Sequence, residues 1–356
     1  MITGGNTGGH VIPNLPLIEQ LGAAGWSVHY IGDPNGLEAR LVPPLKIPFH
    51  PLKTGKLRRY SSIRNLTDLP RTILAIFRAA WVLSRFRPQL IYSKGGFVSV
   101  PVIIAGRLLR IPIVAHESDR TLSLTGRIAI RVADKLCCGL PSSIKSDKLV
   151  YTGIPLRRDI KTGWPSRVHS ELRLRGSVPV LLVVGGSLGA AALGRALGPA
   201  LPNLLPAFDI IHLSPTGAPV VSPIPPGYHP IPNDYKRFPD LLAAADVVLS
   251  RAGATVIAEL LAVNKPALLV PLPTTASRGE QLANAHYYQE AGYGECLEQH
   301  ELTSAALEKM LHLLLEHADH YRALMAHAQI PDATDAVLRV INEILARHNS
   351  RGPSVL

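Results

Sequence analysis

The sequence is poor in cysteine and in charged residues, and each shortage excludes a class of protein. Three of the 356 residues are cysteine (Cys137, Cys138 and Cys296), too few and too scattered for a disulfide framework or a four-ligand zinc site. Charged residues make up 18% of the chain and hydrophobic residues 47%, a balance that excludes intrinsic disorder. The chain therefore folds, and its cysteine content favours a reducing, intracellular environment.

Two kinds of apolar segment are also missing from the sequence. The first residues, MITGGNTGG, have neither the basic region nor the apolar core of a signal peptide, so we expect no export by that route. The longest apolar stretches are interrupted by Arg, Gly or Pro before the roughly 20 residues that a membrane-spanning helix needs. We therefore expect a protein that does not span the membrane.

Short runs of Val, Ile and Leu alternate with longer segments of helical period. Such runs are typical of parallel sheets that are covered by helices on both faces. The predicted strands are 28–31, 90–92, 111–115, 149–151, 180–184, 209–213, 247–249 and 267–270. The pattern predicts an α/β fold, and its two passes along the chain predict two domains of similar size.

A polar stretch from Thr152 to Ser177, which contains several Gly and Pro residues, separates the two passes. We place residues 1–155 and about 332–356 in an N-terminal domain and residues 156–331 in a C-terminal domain, both of them Rossmann-like. The last helical stretch, 333–346, is compatible with either domain by its own pattern.

Four glycine-rich turns follow predicted strands or open predicted helices, at residues 4–10, 95–97, 185–190 and 252–254. Glycine lets the backbone approach a ligand closely, and the N–H groups that open a helix favour anions. A single turn of this kind is more often a tight strand-to-helix connection that binds no ligand. Two turns in each half favour a ligand held between two domains. The spacing disfavours a dinucleotide dehydrogenase, and the lack of a following Lys-Ser/Thr pair excludes a P-loop.

Two polar features of the second half suit the hydroxyl groups of a nucleotide sugar. Glu259 lies about two turns into a helix that opens at Gly253 and Ala254. The N-terminus of this helix would face the phosphates of the nucleotide sugar. A carboxylate there can accept hydrogen bonds from a ribose diol. Glu280 and Gln281 follow a later strand end, where they are suited to bind a sugar.

Seven motifs, taken in order, resemble those of one enzyme family. They are TGGNTGGH, KGGFVSVP, HESD, TGIPLR, GGSLGA, SRAGATVIAE and SRGEQLANA, and they extend over essentially the whole chain. Together they resemble the MurG family. The sequences KGGFVSVP, HESD and SRGEQ resemble the branch of that family found in low-GC Gram-positive bacteria. The resemblance implies a GT-B architecture, in which two Rossmann-like domains with parallel sheets face a cleft. It also implies an inverting transfer of GlcNAc from UDP-GlcNAc to undecaprenyl-pyrophosphoryl-MurNAc-pentapeptide (lipid I), giving lipid II for peptidoglycan synthesis.

The resemblance further implies donor contacts in the second half. Ser187 and Arg157 would contact the diphosphate, and Glu259 would hold the ribose. Glu280 and Gln281 would hold the GlcNAc hydroxyls. No cofactor is implied, and no Asp-x-Asp-like pair follows a strand near the glycine turns, so we expect no catalytic metal.

The first half would hold the acceptor, and its substrate-binding residues would be Thr7, Gly8, Gly9, Gly95 and Gly96. His10 and Asp119 both lie where a general base is needed, on the side opposite the departing UDP. We rank His10 first as the base, because imidazole titrates near physiological pH, and give Asp119 an orienting or back-up role. An alternative is that His10 only hydrogen-bonds acceptor phosphate. Asp119 itself departs from the family, whose commoner motif is HEQN where this chain has HESD.

A basic segment extends from Lys53 to Arg87. Its nine basic residues and one acidic residue supply +8 of the net charge of +11. Within it Ile73, Phe77 and Trp81 recur at helical spacing, flanked by arginines that include Arg78 and Arg85. This is the layout of an interfacial helix on an anionic membrane surface, although an ordinary core-facing helix is the alternative.

The remaining partner predictions follow from these patterns and from the resemblance. No aromatic stacking motif, helix-turn-helix signature or zinc-finger spacing accompanies the basic segment, so we expect no nucleic acid. The family implies a peripheral position on the cytoplasmic face of the plasma membrane, and assembly with other cell-wall synthesis proteins. The alternatives are another GT-B enzyme that uses UDP-sugars, such as a glycolipid synthase or a UDP-GlcNAc epimerase, and a non-catalytic UDP-sugar or lipid I binding relative.

Overall fold

The computed structural model describes residues 1–55, 64–142, 144–328 and 330–350, apart from the side chains of 64–67 and 186–190. The chain forms two compact units. The first comprises residues 1–157 and the chain from Pro331 onwards, and the second comprises Arg158–Ile330. Both units are built on a parallel sheet with helices packed against it.

The described part of the first unit contains a sheet of seven strands in the order β3-β2-β1-β4-β5-β6-β7. The strands are β1 Ile2–Thr3, β2 Tyr30–Gly32, β3 Phe49–Pro51, β4 Ile91–Ser93, β5 Ile113–Glu117, β6 Lys135–Cys138 and β7 Leu149–Tyr151. The helices up to the unit boundary are α1 Gly8–Val11, α2 Asn14–Ala23, α3 Glu38–Leu41, α4 Arg64–Phe86, α5 Ser99–Leu108 and α6 Leu124–Val132.

The second unit repeats this strand order, with six strands in its described part arranged as β10-β9-β8-β11-β12-β13. They are β8 Val180–Val184, β9 Asp209–Ser214, β10 Tyr228–Pro232, β11 Val247–Ser250, β12 Ala267–Leu269 and β13 Gly294–Cys296. The helices are α7 Pro165–Leu172, α8 Gly186–Leu204, α9 Phe238–Ala244, α10 Ala254–Ala262, α11 Glu280–Glu290, α12 Ser304–Glu316 and α13 Ala318–His327. Helix α14, Ala333–Ser350, follows and belongs to the first unit.

The first sheet is buried on both faces because alternate strand residues enter different hydrophobic layers. Tyr92 and its neighbours on one face pack in a cluster that includes Leu17 of α2 and Ile341 of α14. Ile91 and its neighbours on the other face pack in a cluster that includes Leu83 of α4. This double burial explains why the strands are continuous apolar runs.

Strand β1 is two residues long but is central to its sheet. Ile2 pairs with Tyr30 of β2 on one side and with Tyr92 of β4 on the other. A strand this short therefore suffices to bring the first glycine turn to the middle of the sheet.

Candidate active site

In each unit the two glycine turns follow the two strands between which the strand order reverses. These strands are β1 and β4 in the first unit and β8 and β11 in the second. Ligands of open α/β sheets bind beyond the carboxyl ends of the strands at such switch points. The fold therefore brings the predicted turns of each half together at one edge of each sheet.

The turns of the first unit touch each other through Gly96. Its φ of +82° lies in the left-handed region, and a side chain there would approach the carbonyl oxygen of Gly5 to 2.6 Å. The same added carbon would lie 3.4 Å from Nδ1 of His10. Gly95, with a φ of +97°, also lies against the His10 ring. These glycines let the second turn pack under the imidazole of the first.

His10 lies on the short helix α1 and is half-buried. Its Nδ1 is 3.0 Å from the hydroxyl oxygen of Thr7, the N-terminal capping residue of α1. Gly8 and Gly9 form the first turn of that helix. The Thr7 hydroxyl thus fixes the orientation of the imidazole.

A small pocket adjoins the His10 ring. Polar side chains from β4, β5 and α6 line it, and they include Lys94, His116, Glu117, Ser123 and Thr125. The Glu117 carboxylate accepts a hydrogen bond from the Ser123 N–H at 2.8 Å, which ties β5 to the start of α6. The Lys94 ammonium donates to the Ser118 hydroxyl. Asp119 follows Ser118 and is half-buried.

Besides Glu117, two further buried charged residues at this edge have no role in the sequence prediction. One is Lys94, and the other is Glu38, which is fully buried. The Glu38 carboxylate accepts the N–H of Asn6 at 3.0 Å and that of Asp33 at 2.9 Å. It thereby joins the first glycine turn to the loop after β2. The only sequence signal for Lys94 is its place at a strand end before a glycine pair.

His116 of β5 is held neutral at the same edge. Its Nε2 donates to the carbonyl oxygen of Gly153 at 2.8 Å. Burial, with a smaller effect from the Lys94 charge, lowers the pKa of His116 well below its ordinary value. His116 is therefore a structural histidine that fastens β5 to the chain after β7.

Helices α8 and α10 begin at the glycine turns of the second unit. Helix α8 begins at Gly186, so the backbone N–H groups around Ser187 lie in its first turn, while the Ser187 side chain lies outside the described residues. Helix α10 begins at Ala254 after the extended Gly253, and a side chain added to Gly253 would meet nothing within 4 Å. The first N–H groups of a helix have no partner within that helix, so these two helix starts are suited to bind a diphosphate.

Glu259 lies in α10 and is 7% exposed, so it is not a surface glutamate on an exposed helix face. Side chains from neighbouring segments fix the turn that leads into this helix. The Asn284 amide donates to the carbonyl oxygen of Ala252 at 3.2 Å, and Arg251 donates to that of Val270 at 3.0 Å. The sequence prediction gave no role to Asn284 or Arg251.

Glu280 and Gln281 open helix α11. One oxygen of Glu280 accepts the Arg278 N–H at 2.9 Å, and the Gln281 carbonyl accepts the Leu272 N–H at 3.1 Å. Both side chains therefore brace the loop after β12. Arg157, the last residue before the second unit begins, is half-buried and belongs to the first unit, not to the C-terminal domain in which the sequence analysis placed it. The roles predicted for these three residues stay predictions.

Comparison with known proteins decides the family. The N-terminal domain of glycosyltransferase family 28 matches residues 1–137, and the C-terminal domain of that family matches residues 180–340. The crystal structure of MurG from Acinetobacter baumannii matches with a TM-score of 0.78 and 28% identity, over 96% of this chain and 99% of that chain. The chain belongs to the MurG family.

Two curated members of the family are still more similar in sequence. A protein of Geobacillus thermodenitrificans is 39% identical over 96% of this chain and 97% of its own length. A protein of Lachnospira eligens is 38% identical over 96% of this chain and 98% of its own length. Both are named UDP-N-acetylglucosamine–N-acetylmuramyl-(pentapeptide) pyrophosphoryl-undecaprenol N-acetylglucosamine transferase. The predicted family, the predicted fold class and the predicted enzyme class, a glycosyltransferase, are confirmed.

Helix α4 carries the predicted membrane residues and has two apolar faces. Ala75, Ala79 and Leu83 are fully buried against the first unit. Phe77 and Trp81, by contrast, are 68% and 69% exposed. The outer face bears further exposed apolar and basic side chains, namely Leu69, Ile73, Leu74, Arg71, Arg78 and Arg85. Of the predicted basic segment, residues 56–63 and the side chain of Arg64 lie outside the described residues.

Within the described ranges, every helix is too short or too polar to cross a bilayer. The same residues contain no cluster of three or more His, Cys, Asp or Glu side chains arranged for a metal ion.

Proposed function

We propose that this protein transfers GlcNAc from UDP-GlcNAc to lipid I with inversion at the anomeric carbon, giving lipid II and UDP. The observation that carries the proposal is the match, over nearly the full length of both chains, to transferases named for this reaction. The two glycine turns at each switch point support it, because the reaction needs one site for a nucleotide sugar and one for a second phosphorylated substrate.

The donor binds the second unit. The N–H groups that open α8 and α10 hold the diphosphate, and the helix dipoles offset the charge that grows on UDP as it leaves. Glu259 accepts hydrogen bonds from the ribose, and Glu280 and Gln281 bind the sugar hydroxyls. Arg157, which directly precedes the second unit along the chain, adds a cation to the diphosphate. A divalent metal is then not required, because fixed N–H groups and a guanidinium take its place.

The acceptor binds the first unit, with the turns at Gly8–Gly9 and Gly95–Gly96 near its diphosphate. The acceptor hydroxyl attacks the anomeric carbon, and the bond from that carbon to the UDP oxygen breaks. His10 takes the hydroxyl proton, and Thr7 holds the imidazole in place for this step. Asp119 orients the acceptor or the base.

The outer face of α4 docks on an anionic membrane surface, where a lipid-linked acceptor resides. Leu69, Ile73, Phe77 and Trp81 follow one another at intervals of four residues, so they form a single stripe along the helix. Exposed aromatic rings beside arginines are suited to the headgroup region, where the rings enter the apolar boundary and the guanidinium groups meet lipid phosphates.

Product analysis with UDP-GlcNAc and a short-chain lipid I analogue tests the function. We expect release of UDP and formation of a disaccharide-linked lipid only when both substrates are present. Conversion of UDP-GlcNAc to a different UDP-sugar without acceptor would indicate an epimerase. Transfer to diacylglycerol would indicate a glycolipid synthase, and binding of both substrates without turnover would indicate a non-catalytic relative.

A further inference from the structure

Lys94 is a buried cation at the end of β4, and the proposed donor and acceptor contacts do not use it. Its side chain is 1% exposed, although lysine is almost never buried without a charged or polar partner. The ammonium donates to the hydroxyl of Ser118, in the middle of the HESD motif. It also lines the pocket beside His10. Lys94 is therefore hydrogen-bonded to the motif that carries one candidate base, Asp119, and lines the same pocket as the other, His10.

The negative charge that compensates Lys94 comes from β5 and the turn that follows it. Burial lowers the pKa of Lys94 to about 8, while the carboxylates of Glu117 and Asp119 act in the opposite direction. Glu117 is engaged with the start of α6 through Ser123. Removing either partner of a buried charged pair is costly, because it leaves the other charge uncompensated.

We infer that Lys94 is a positioning residue that holds the turn bearing Asp119 through Ser118 and supplies the cation that matches the Asp119 carboxylate. This inference rests on the proposed function, in which Asp119 acts on the acceptor side. It accounts for the acid in HESD, because the amide of the commoner HEQN motif needs no neighbouring cation and a half-buried carboxylate does.

The titratable groups around Lys94 come from three other elements. They are Glu117, Asp119 and His116 of β5 and its following turn, Cys137 of β6, and His10 of α1. His116 is neutral, and burial raises the pKa of Cys137 to about 12. The carboxylates are therefore the anions that face the ammonium near neutral pH.

A double-variant cycle of Lys94→Met and Asp119→Asn tests the inference. Met matches the length of lysine without its charge, and Asn matches the shape of aspartate. We expect Lys94→Met to lower kcat about tenfold or more, with the KM for UDP-GlcNAc changed less than about threefold. The combined variant should regain part of the lost kcat. The unfolding equilibrium constant of the combined variant should be about tenfold smaller than the value expected if the two single substitutions acted independently, since neighbouring charges couple.

The pH profile of kcat supplies a readout that a merely structural lysine would not change. In the wild type, kcat should fall as the pH rises past about 8, because Lys94 then loses its proton. Asp119→Asn should move this fall to lower pH, because the ammonium loses a negative neighbour. Ser118→Ala removes the hydrogen bond but keeps both charges, so its fall should move less than that of Asp119→Asn.

The outcomes separate this inference from the proposed function. Additive single effects, or a fall that Asp119→Asn leaves unmoved, would overturn the role of Lys94 in an enzyme that still transfers GlcNAc. If Lys94→Met does not fold but the combined variant does, charge matching is supported. If the wild-type protein transfers nothing, the proposed function fails, and the unfolding cycle alone still decides whether Lys94 and Asp119 are coupled.

Discussion

The two units have the same strand order but very different side chains at the switch point. In the first unit titratable groups, including Lys94 and Glu117, are buried beside His10. In the second, two helix starts and one buried acid, Glu259, face the corresponding edge. The fold determines where a ligand lies, and the side chains determine what is done to it. Proton transfer requires titratable groups, whereas holding a diphosphate requires mainly N–H groups.

The largest expected effect concerns proton transfer in the first unit. His10→Ala should lower kcat about 10²- to 10⁴-fold, the usual contribution of a general base, and leave UDP-GlcNAc affinity unchanged. Profiles of kcat/KM against pH for wild type, His10→Ala and Asp119→Asn provide the measurement. If His10→Ala raises only the acceptor KM, and Asp119→Asn abolishes the acidic limb, the roles of the two residues are interchanged.

The matching change in the second unit is Glu259→Ala. It should weaken UDP-GlcNAc binding about ten- to a hundredfold, because a charged hydrogen-bond acceptor contributes roughly 1.5–3 kcal/mol. Titration calorimetry measures the affinity, with Glu316→Ala as a control at an exposed position of the same unit. Equal affinity of Glu259→Ala and wild type would place the ribose elsewhere.

A third difference between the units is the exposed face of α4. Phe77→Ser with Trp81→Ser should weaken binding to anionic vesicles about 10²- to 10⁴-fold, since each buried apolar side chain contributes roughly 1.5–3 kcal/mol and the variant loses two of them. Stability should change little, because both side chains are exposed. Sedimentation with vesicles measures the binding, and Trp164→Ser, an exposed tryptophan of the second unit, is the control.

Leu83→Ala on the inner face of α4 completes that comparison. Because Leu83 is fully buried, we expect it to lower the free energy of unfolding by about 2–5 kcal/mol without a specific loss of vesicle binding. Vesicle binding retained by the Phe77, Trp81 variant would show that the outer face contacts something other than lipid.

Each unit also buries a neutral histidine in its sheet, His116 in the first and His212 in the second. Burial lowers the pKa of His212 from 6.5 to about 4. Between these values the unfolded chain binds a proton that the folded chain does not, so stability falls as pH falls, by about 1.4 kcal/mol per pH unit for each such histidine. Thermal unfolding at several pH values measures this, and His212→Gln should make the dependence shallower. An unchanged dependence in that variant would assign the loss to other groups.

The smallest expected effect is that of a chelator. EDTA should leave the transfer rate unchanged, because helix starts and Arg157 provide the positive charge in the proposed donor site. Activity that is abolished by EDTA and restored by magnesium or manganese would contradict this prediction and would require a metal site in one of the units.

Most interior strands of the two sheets were predictable from the sequence, and most edge strands were not. The predicted bounds of β7 and β8 agree with the structure, since both strands are continuous apolar runs. The prediction missed β3, β10 and β13, which are edge strands, and the short interior strands β1 and β6. Edge strands tolerate proline and polar residues, as Pro51 in β3 and Pro230 in β10 illustrate, so they lack the apolar signature.

The candidate site divides in the same way. The glycine turns were predictable because clustered glycines mark them in a short stretch of sequence. Glu259 was predictable because it lies in the helix directly after one of these turns. Lys94 and Glu38 were not, because charged residues are exposed by default and only the fold shows that these two are buried. Their partners, Ser118 and Asn6, lie 24 and 32 residues away along the chain.

The return of α14 to the first unit affects how the protein is made. The hydrophobic layer around Leu17 and Tyr92 includes Val337, Val340 and Ile341, which leave the ribosome after the whole second unit. Domains usually fold during synthesis in order from the N-terminus. Here the second unit can complete its core while the first still lacks part of one layer. A nascent chain therefore exposes apolar surface on the first unit until α14 has been synthesised, and that interval is when a chaperone is most needed.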